Sequence, residues 1–172
     1  MKHLWSPWRM VYILSRKQKG CIFCKKPKEK DDRKNLILFR SQYAFVMMNK
    51  FPYNSGHLMI VPKRHSSDLD QLRQEELRDL FFLLKASTRV LKKTLKPNGF
   101  NIGINIGIVG GAGEKHIHFH IVPRWAGDTN FMPVLGETKV IPEYLEKTYD
   151  KLYAAFEKSA LLREGGKGGS KK

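Results

Sequence analysis

His116-Ile117-His118-Phe119-His120-Ile121-Val122-Pro123 sets histidines and large apolar residues in strict alternation. In an extended strand, residues i, i+2 and i+4 project from one face. The three imidazoles therefore line one surface, while Ile117, Phe119 and Ile121 turn toward a core. A rise of roughly 3.3 Å per residue separates the outer two histidines by about 13 Å, too far to share one zinc, whose ligands lie at roughly 2 Å. Imidazoles with pKa near ~6.5 suit proton transfer and nucleophilic attack. The plain alternative, a solvated histidine-rich run, gives no reason for a large apolar residue at every second place.

Upstream, Phe100, Ile102, Ile104 and Ile106 alternate with Asn101, Gly103, Asn105 and Gly107, the pattern of a strand. The Gly-rich loop 107–115 would join it to the histidine strand as an antiparallel hairpin. From 68 to 95 the period becomes helical, with a stripe of Leu77, Leu80, Phe81, Leu84, Leu91 and Leu95 stopped by Pro97 and Gly99. Before it, the apolar runs 36–39, 44–48 and 57–62 are separated by turn-forming residues and read as a hairpin and a third strand. A final helix is expected over 142–162. The pattern predicts an α+β fold: about five antiparallel strands, one long helix across a face, and a C-terminal helix.

The 172 residues suffice for one domain with tails. Residues 1–20, with Trp5 and Trp8, form an aromatic segment expected to pack on the body or on a second subunit. Residues 21–162 form the body, and 163–172 a Gly/Lys tail expected to be disordered. The basic stretch 25–34 reads as an exposed loop. Lys and Arg number 32 against 16 Asp and Glu, a formal charge of +16. Nucleic acid, nucleotides and acidic lipids are physically reasonable partners for such a surface, although much of the excess sits where it simply solubilises. No apolar run approaches 18 residues, so no membrane span is expected, and a reduced, cytoplasmic protein is the default. The two cysteines, Cys21 and Cys24, form a CxxC that is equally a redox pair, half of a zinc site or chance.

The pentad, with Ile121 and Val122, resembles the signature of the histidine triad family of nucleotide hydrolases and transferases. Asn49, Pro52, Gly56 and His57 resemble that family's upstream nucleotide-binding segment, and the likeness covers residues 21–123. Leu4-Trp5-Ser6-Pro7-Trp8-Arg9-Met10 and Pro123-Arg124-Trp125-Ala126-Gly127-Asp128-Thr129-Asn130-Phe131 resemble its bacterial diadenosine tetraphosphate phosphorylase branch, alongside related hydrolases. The resemblance implies the HIT-like fold and a nucleotide substrate cleaved at its α-phosphate. His118 would be the nucleophile that forms a nucleotidyl-histidine, His120 would bind the phosphate and protonate the leaving group, and His57 would support the phosphate or the histidine network. Asn49 and Asn105 would reach the ribose or phosphate, with Gly111 and Gly113 letting backbone approach phosphate oxygens. Arg124 and Trp125 would close the phosphate pocket, with packing the simpler role for Trp125. Many related hydrolases place a Gln and a Ser or Thr where this chain has Ala112 and Gly113, which leaves room for inorganic phosphate as acceptor.

The same resemblance implies a structural Zn2+ held by Cys21, Cys24, His65 and His116, no organic cofactor, and a homodimer. Two other readings remain open. One is nucleoside phosphoramidate or adenylyl-sulfate cleavage with the same nucleophile. The other is a zinc-containing, basic nucleic-acid-binding module with structural histidines, which would show salt-dependent binding and no turnover.

Overall fold

The computed structural model describes residues 20–128 and 143–159. Most of the aromatic N-terminal segment, residues 129–142 and the Gly/Lys tail lie outside the described residues, with the expectations placed on them.

Five antiparallel strands form one sheet: β1 (Ile37–Arg40), β2 (Ala44–Met48), β3 (Leu58–Pro62), β4 (Gly99–Ile104) and β5 (Phe119–Arg124). Their order is β1-β2-β3-β5-β4. The histidine-bearing strand thus lies inside the sheet and β4 forms an edge. β2 and β3 are buried along their whole length, which is why they read as continuous apolar runs rather than as alternation. Both sheet faces are covered. Val46, Met48, Leu58, Ile60 and Ile121 pack with Leu80, Leu83, Leu91, Leu152 and Phe156 of the helices. Phe45, Met47, Met59 and Val61 face the other way and pack with Phe23. Met59 stands opposite His120 in the β3–β5 register, so the histidines share the face of Phe23, away from the long helix.

The segment read as an exposed loop, 25–34, is in part ordered. It continues a short helix α1 (Ile22–Lys25) and a single 3-10 turn (Lys26–Lys28). The side chain of Asn35 donates to the Lys26 carbonyl at 3.3 Å and to Glu29 Oε2 at 3.0 Å, tying this stretch to β1.

The long helix α2 runs Gln74–Leu95 and starts six residues later than its expected position at 68. Ser66 Oγ donates to the Asp68 carbonyl at 2.8 Å, Asp68 Oδ1 takes the Leu69 N–H at 2.7 Å, and the Leu72 N–H returns to Leu69. Short polar side chains hold these residues in turns. The helix begins where Glu76 accepts the Arg73 N–H at 2.8 Å. Its buried face is Leu80, Leu83, Ala86, Ser87, Val90 and Leu91, whereas Phe81 is 57% exposed. The expected stripe included the exposed Phe81 and missed Leu83, Ala86, Ser87 and Val90, which face the core. Lys96 ends the helix in the left-handed region at φ 49°, just before Pro97, which cannot continue it. The last helix, α3 (Leu145–Glu157), is shorter than the expected 142–162. Glu143 and Tyr144 precede it, with Glu143 accepting from Thr148 Oγ1 at 2.9 Å. Its apolar face ends at Phe156, the last buried position among the described residues, and the Ser159 N–H turns back to Phe156. No helix among the described residues is long and apolar enough to cross a membrane.

Candidate active site

The alternation of the histidine pentad persists, but only part of it is strand. The β5 ladder starts at Phe119. Pro62, at the end of β3, has no N–H to extend the ladder, and the Ile117 N–H instead donates to the Ser66 carbonyl at 2.7 Å. Ile117 and Ile121 still enter the helix-side core, and His116 and His118 are buried with 0% and 5% exposure.

Each histidine has its own surroundings. His118 Nδ1 lies 2.8 Å from the His116 carbonyl. A carbonyl only accepts, so Nδ1 carries the proton and Nε2 the lone pair. Burial pushes this imidazole below the usual histidine range, keeping it neutral at ambient pH. The ring rests against Phe23, centroids 4.8 Å apart, and meets His120 edge-on at 4.6 Å.

His120 is oriented through His57. The backbone N–H of Tyr53 donates to His57 Nδ1 at 3.1 Å. His57 therefore carries its proton on Nε2, 2.9 Å from His120 Nδ1. With Nδ1 accepting, a neutral His120 holds its proton on Nε2, the nitrogen away from His57. The Tyr53 ring stacks on His57 at 4.8 Å. Asn49 adjoins the same pair: its Oδ1 takes the Phe51 N–H at 2.9 Å and its Nδ2 lies 3.4 Å from His57 Nδ1. The turn that delivers His57 requires glycine at 56. Its φ is +70°, and a Cβ there would stand 2.5 Å from Leu95 Cδ1.

Asn105 and Gly111 form a unit in the Gly-rich loop. Asn105 Nδ2 faces the Gly111 carbonyl at 3.4 Å, and the Gly111 N–H is used inside the turn, donating to Ile108 at 3.0 Å. Gly113 is a half-buried bend in the same loop. Arg124, expected to close the phosphate pocket, has partners within its own chain. It clasps Asp128 with Nε at 2.6 Å and Nη2 at 2.7 Å, and gives Nη1 to Asn101 at 2.8 Å. Asp128 also accepts from Asn54 Nδ2 at 2.7 Å and from the Trp125 N–H at 3.1 Å. This carboxylate binds the end of β5 to the 54–57 turn.

Cys21, Cys24, His65 and His116 converge, with ligand atoms all within 4.8 Å of one another. Both cysteines are free thiols. His116 Nδ1 lies 3.3 Å from Cys21 Sγ and 3.6 Å from Cys24 Sγ, and His65 Nδ1 lies 3.5 Å from Cys24 Sγ. A tetrahedron with metal–ligand distances of roughly 2.0–2.3 Å places its corners about 3.3–3.8 Å apart, so these three pairs already stand at that spacing, and the donor set of two thiols and two imidazoles fits a metal once the wider pairs close slightly. His116 Nε2 donates to the Pro62 carbonyl at 3.0 Å, the outer contact that leaves Nδ1 free to ligate. Burial, then the neighbouring His65, push its imidazole down to about 4. Next to His65 in sequence, Arg64 clasps the buried Glu76 at 2.8 and 2.6 Å.

A model described as the HIT domain matches residues 30–127. The chain belongs to the histidine triad family. AP-4-A phosphorylase of Mycobacterium tuberculosis is 37% identical over 158 residues, 86% of this chain and 80% of that one. The asymmetrical bis(5'-nucleosyl)-tetraphosphatase of Schizosaccharomyces pombe is 28% identical over 120 residues, 70% of this chain and 63% of its own length. Among solved structures, a zinc-bound histidine triad protein from Mycobacterium smegmatis aligns with a TM-score of 0.65 at 24% identity, covering 80% of this chain and 94% of that one.

In this histidine triad protein the predicted site residues fall into three groups: His57, His118, His120 and Asn49; Cys21, Cys24, His65 and His116; and Asn105, Gly111 and Gly113 of the Gly-rich loop. Sequence reasoning missed Phe23, which also contacts His116 edge-on at 5.7 Å, and Tyr53. The placement of Phe23 inside the CxxC, and of Tyr53 four residues before His57, were the available signals.

Proposed function

We propose that the protein cleaves dinucleoside polyphosphates, with diadenosine tetraphosphate as the model substrate, by way of a nucleotidyl-histidine. The observation that carries this reading is the hydrogen-bond pattern that leaves a lone pair on His118 Nε2 while His120, 4.6 Å away between ring centroids, holds a proton on its own Nε2. His118 Nε2 attacks the α-phosphorus, the bond to the bridging oxygen breaks, and that oxygen takes the proton of His120 as ATP departs. An acceptor then attacks the adenylyl-histidine, displacing His118 and returning a proton to His120. Asn49, Asn105, Gly111 and Gly113 serve the nucleotide. The likeness to AP-4-A phosphorylase, and Ala112 and Gly113 where hydrolases carry larger polar residues, favour phosphate as the acceptor. The likeness to the asymmetrical tetraphosphatase keeps water as the second reading.

Products with and without phosphate decide between them. ADP and ATP indicate phosphorolysis, and AMP and ATP indicate hydrolysis. A His118→Ala protein with full turnover would overturn the mechanism, as would salt-dependent nucleic-acid binding without any turnover.

The four-residue cluster serves as a structural zinc site in this reading. When bound, the metal fixes the CxxC turn, and with it Phe23, onto the histidine segment. Less than about half a zinc per chain in fresh, unchelated protein would refute it. A reducing cytoplasm keeps both thiols available as ligands. The homodimer is supported by the edge position of β4 and by the exposure of Ile102, Ile106 and Phe81. Sedimentation as a monomer at micromolar concentration would exclude it.

A further inference from the structure

A second concavity lies where α1, the stretch before β1 and the start of α3 meet. It measures about 650 Å3, and Ile22, Lys26, Lys34, Leu36, Lys50 and Leu145 contribute to its walls. That volume falls within the range of ligand pockets, roughly 300–1,000 Å3. Five cationic side chains border it, the others being Lys25 and Arg33, against the acidic Glu29, Asp31 and Glu146. Two of these acids are engaged locally: Glu29 accepts from Asn35 at 3.0 Å, and Asp31 takes the Lys34 N–H at 3.0 Å. Arg33 is clasped to Asp150. The ammonium groups of Lys26, Lys34 and Lys50 make no hydrogen bond or ion pair with any described residue.

Lys26 is half-buried. It shares the wall of the cleft with Lys34 and Lys50. Two like charges at a partly desolvated mouth repel each other, and an anion between them relieves both the repulsion and the desolvation. Lysine ammoniums bind phosphate as mobile point charges, and several phosphates in a row match several such groups. Two lining residues are next in sequence to residues that contact the histidines. Ile22 precedes Phe23, which packs on His118 at 4.8 Å, and Lys50 follows Asn49, whose Nδ2 lies 3.4 Å from His57 Nδ1.

We propose that this cleft is a binding site for a chain of phosphate groups, with Lys26, Lys34 and Lys50 as its anchors. The ligand is either the distal phosphates of a nucleotide held at the histidines, which rests on the function proposed above, or a free polyphosphate, which does not.

The test titrates the full-length protein with inorganic tripolyphosphate by calorimetry, using wild type, His118→Ala, and the pair Lys26→Glu with Lys50→Glu. Wild type and His118→Ala should bind alike. The charge-reversed protein should bind about tenfold more weakly, and a Lys26→Arg, Lys50→Arg protein should retain binding. Should charge reversal impair folding, Lys26→Gln with Lys50→Gln gives the same comparison. Unchanged binding after charge reversal, or loss of binding in His118→Ala, would overturn the site.

Turnover separates the two sources. If distal phosphates occupy the cleft, charge reversal lowers kcat/KM for diadenosine tetraphosphate but not for a nucleoside phosphoramidate, which has none. If free polyphosphate is the ligand, both turnovers stay unchanged while tripolyphosphate binding falls. An equal loss on both substrates would mean damage to the histidine site and would refute the proposal. If neither substrate is turned over, the function fails, and tripolyphosphate binding still decides the cleft.

Discussion

Stripping the metal and lowering the pH exposes the energetics of His116. Its imidazole is buried and sits near 4, against 6.5 for an unperturbed ring. In metal-free protein the unfolded chain takes up this proton first as pH falls, so stability rises with pH between the two values. The contribution is fully present above 6.5 and is lost as pH falls toward 4. At pH 5 the unfolded ring is almost wholly protonated and the folded ring scarcely so, and the difference comes to roughly 2 kcal/mol, approaching roughly 3 kcal/mol below pH 4. With a urea m-value of about 2 kcal/mol/M, the unfolding midpoint of chelated protein should fall by about 1 M between pH 7 and pH 5 from this residue alone. Other groups titrate in the same window, His118 among them, so the assay is a difference. Chelated His116→Gln, whose amide can still donate to the Pro62 carbonyl, should lose about 2 kcal/mol less than chelated wild type over that range. Equal losses in the two proteins would refute the assignment of a buried, neutral His116. A ring titration of His116 followed by NMR gives the answer directly if the variant is too unstable to measure.

His57→Gln removes the donor that orients His120, and kcat should fall about 100-fold with a smaller change in KM; a kcat within twofold of wild type would exclude the relay. Phe23→Ala empties a buried position against both His116 and His118, and should cost about 3–5 kcal/mol in urea unfolding and lower zinc content. Stability and zinc content both equal to wild type would show that Phe23 does not join the two sites. For the acid limb, burial keeps His118 neutral below its ordinary range, so kcat/KM should begin to fall only below pH 6.5; a limb centred above 6.5 would contradict a buried nucleophile.

Where periodicity and burial coincide, the sequence was a reliable guide. The alternation of Ile117, Phe119 and Ile121 survives even where the ladder stops, because packing against the helix side sets it rather than strand pairing. The two hairpins and the continuous runs of β2 and β3 were legible for the same reason. The start of α2 was not, because Ser66 and Asp68 satisfy backbone groups with side chains, a competition that apolar spacing does not record. Neither were the partners of Arg124: Asp128, four residues on, was visible, but Asn101 came within reach only through the β4–β5 register. The roles implied for Cys21, Cys24, His65 and His116 depended on resemblance, since no spacing rule relates positions 24, 65 and 116. The sheet brings them within ligand distance.

The three histidines of the pentad begin as equivalent rings, and their separation follows from the acceptors around them. His116 gives its Nε2 proton to the Pro62 carbonyl, which turns Nδ1 toward the cysteines. The carbonyl of that same residue takes the Nδ1 proton of His118, so a residue of the metal cluster also fixes the tautomer of the proposed nucleophile. His120 receives at Nδ1 from His57, which itself accepts from the Tyr53 backbone. Ring proton placement is therefore imposed from both flanks by backbone groups, a carbonyl on one side and an N–H on the other. Backbone groups keep these roles when a side chain changes, so substitutions at Tyr53 should disturb the stacking on His57 while leaving its tautomer in place. Substitutions that move the backbone of residues 53–57, such as Gly56→Ala with its 2.5 Å clash against Leu95, should instead act on His57 and His120 together.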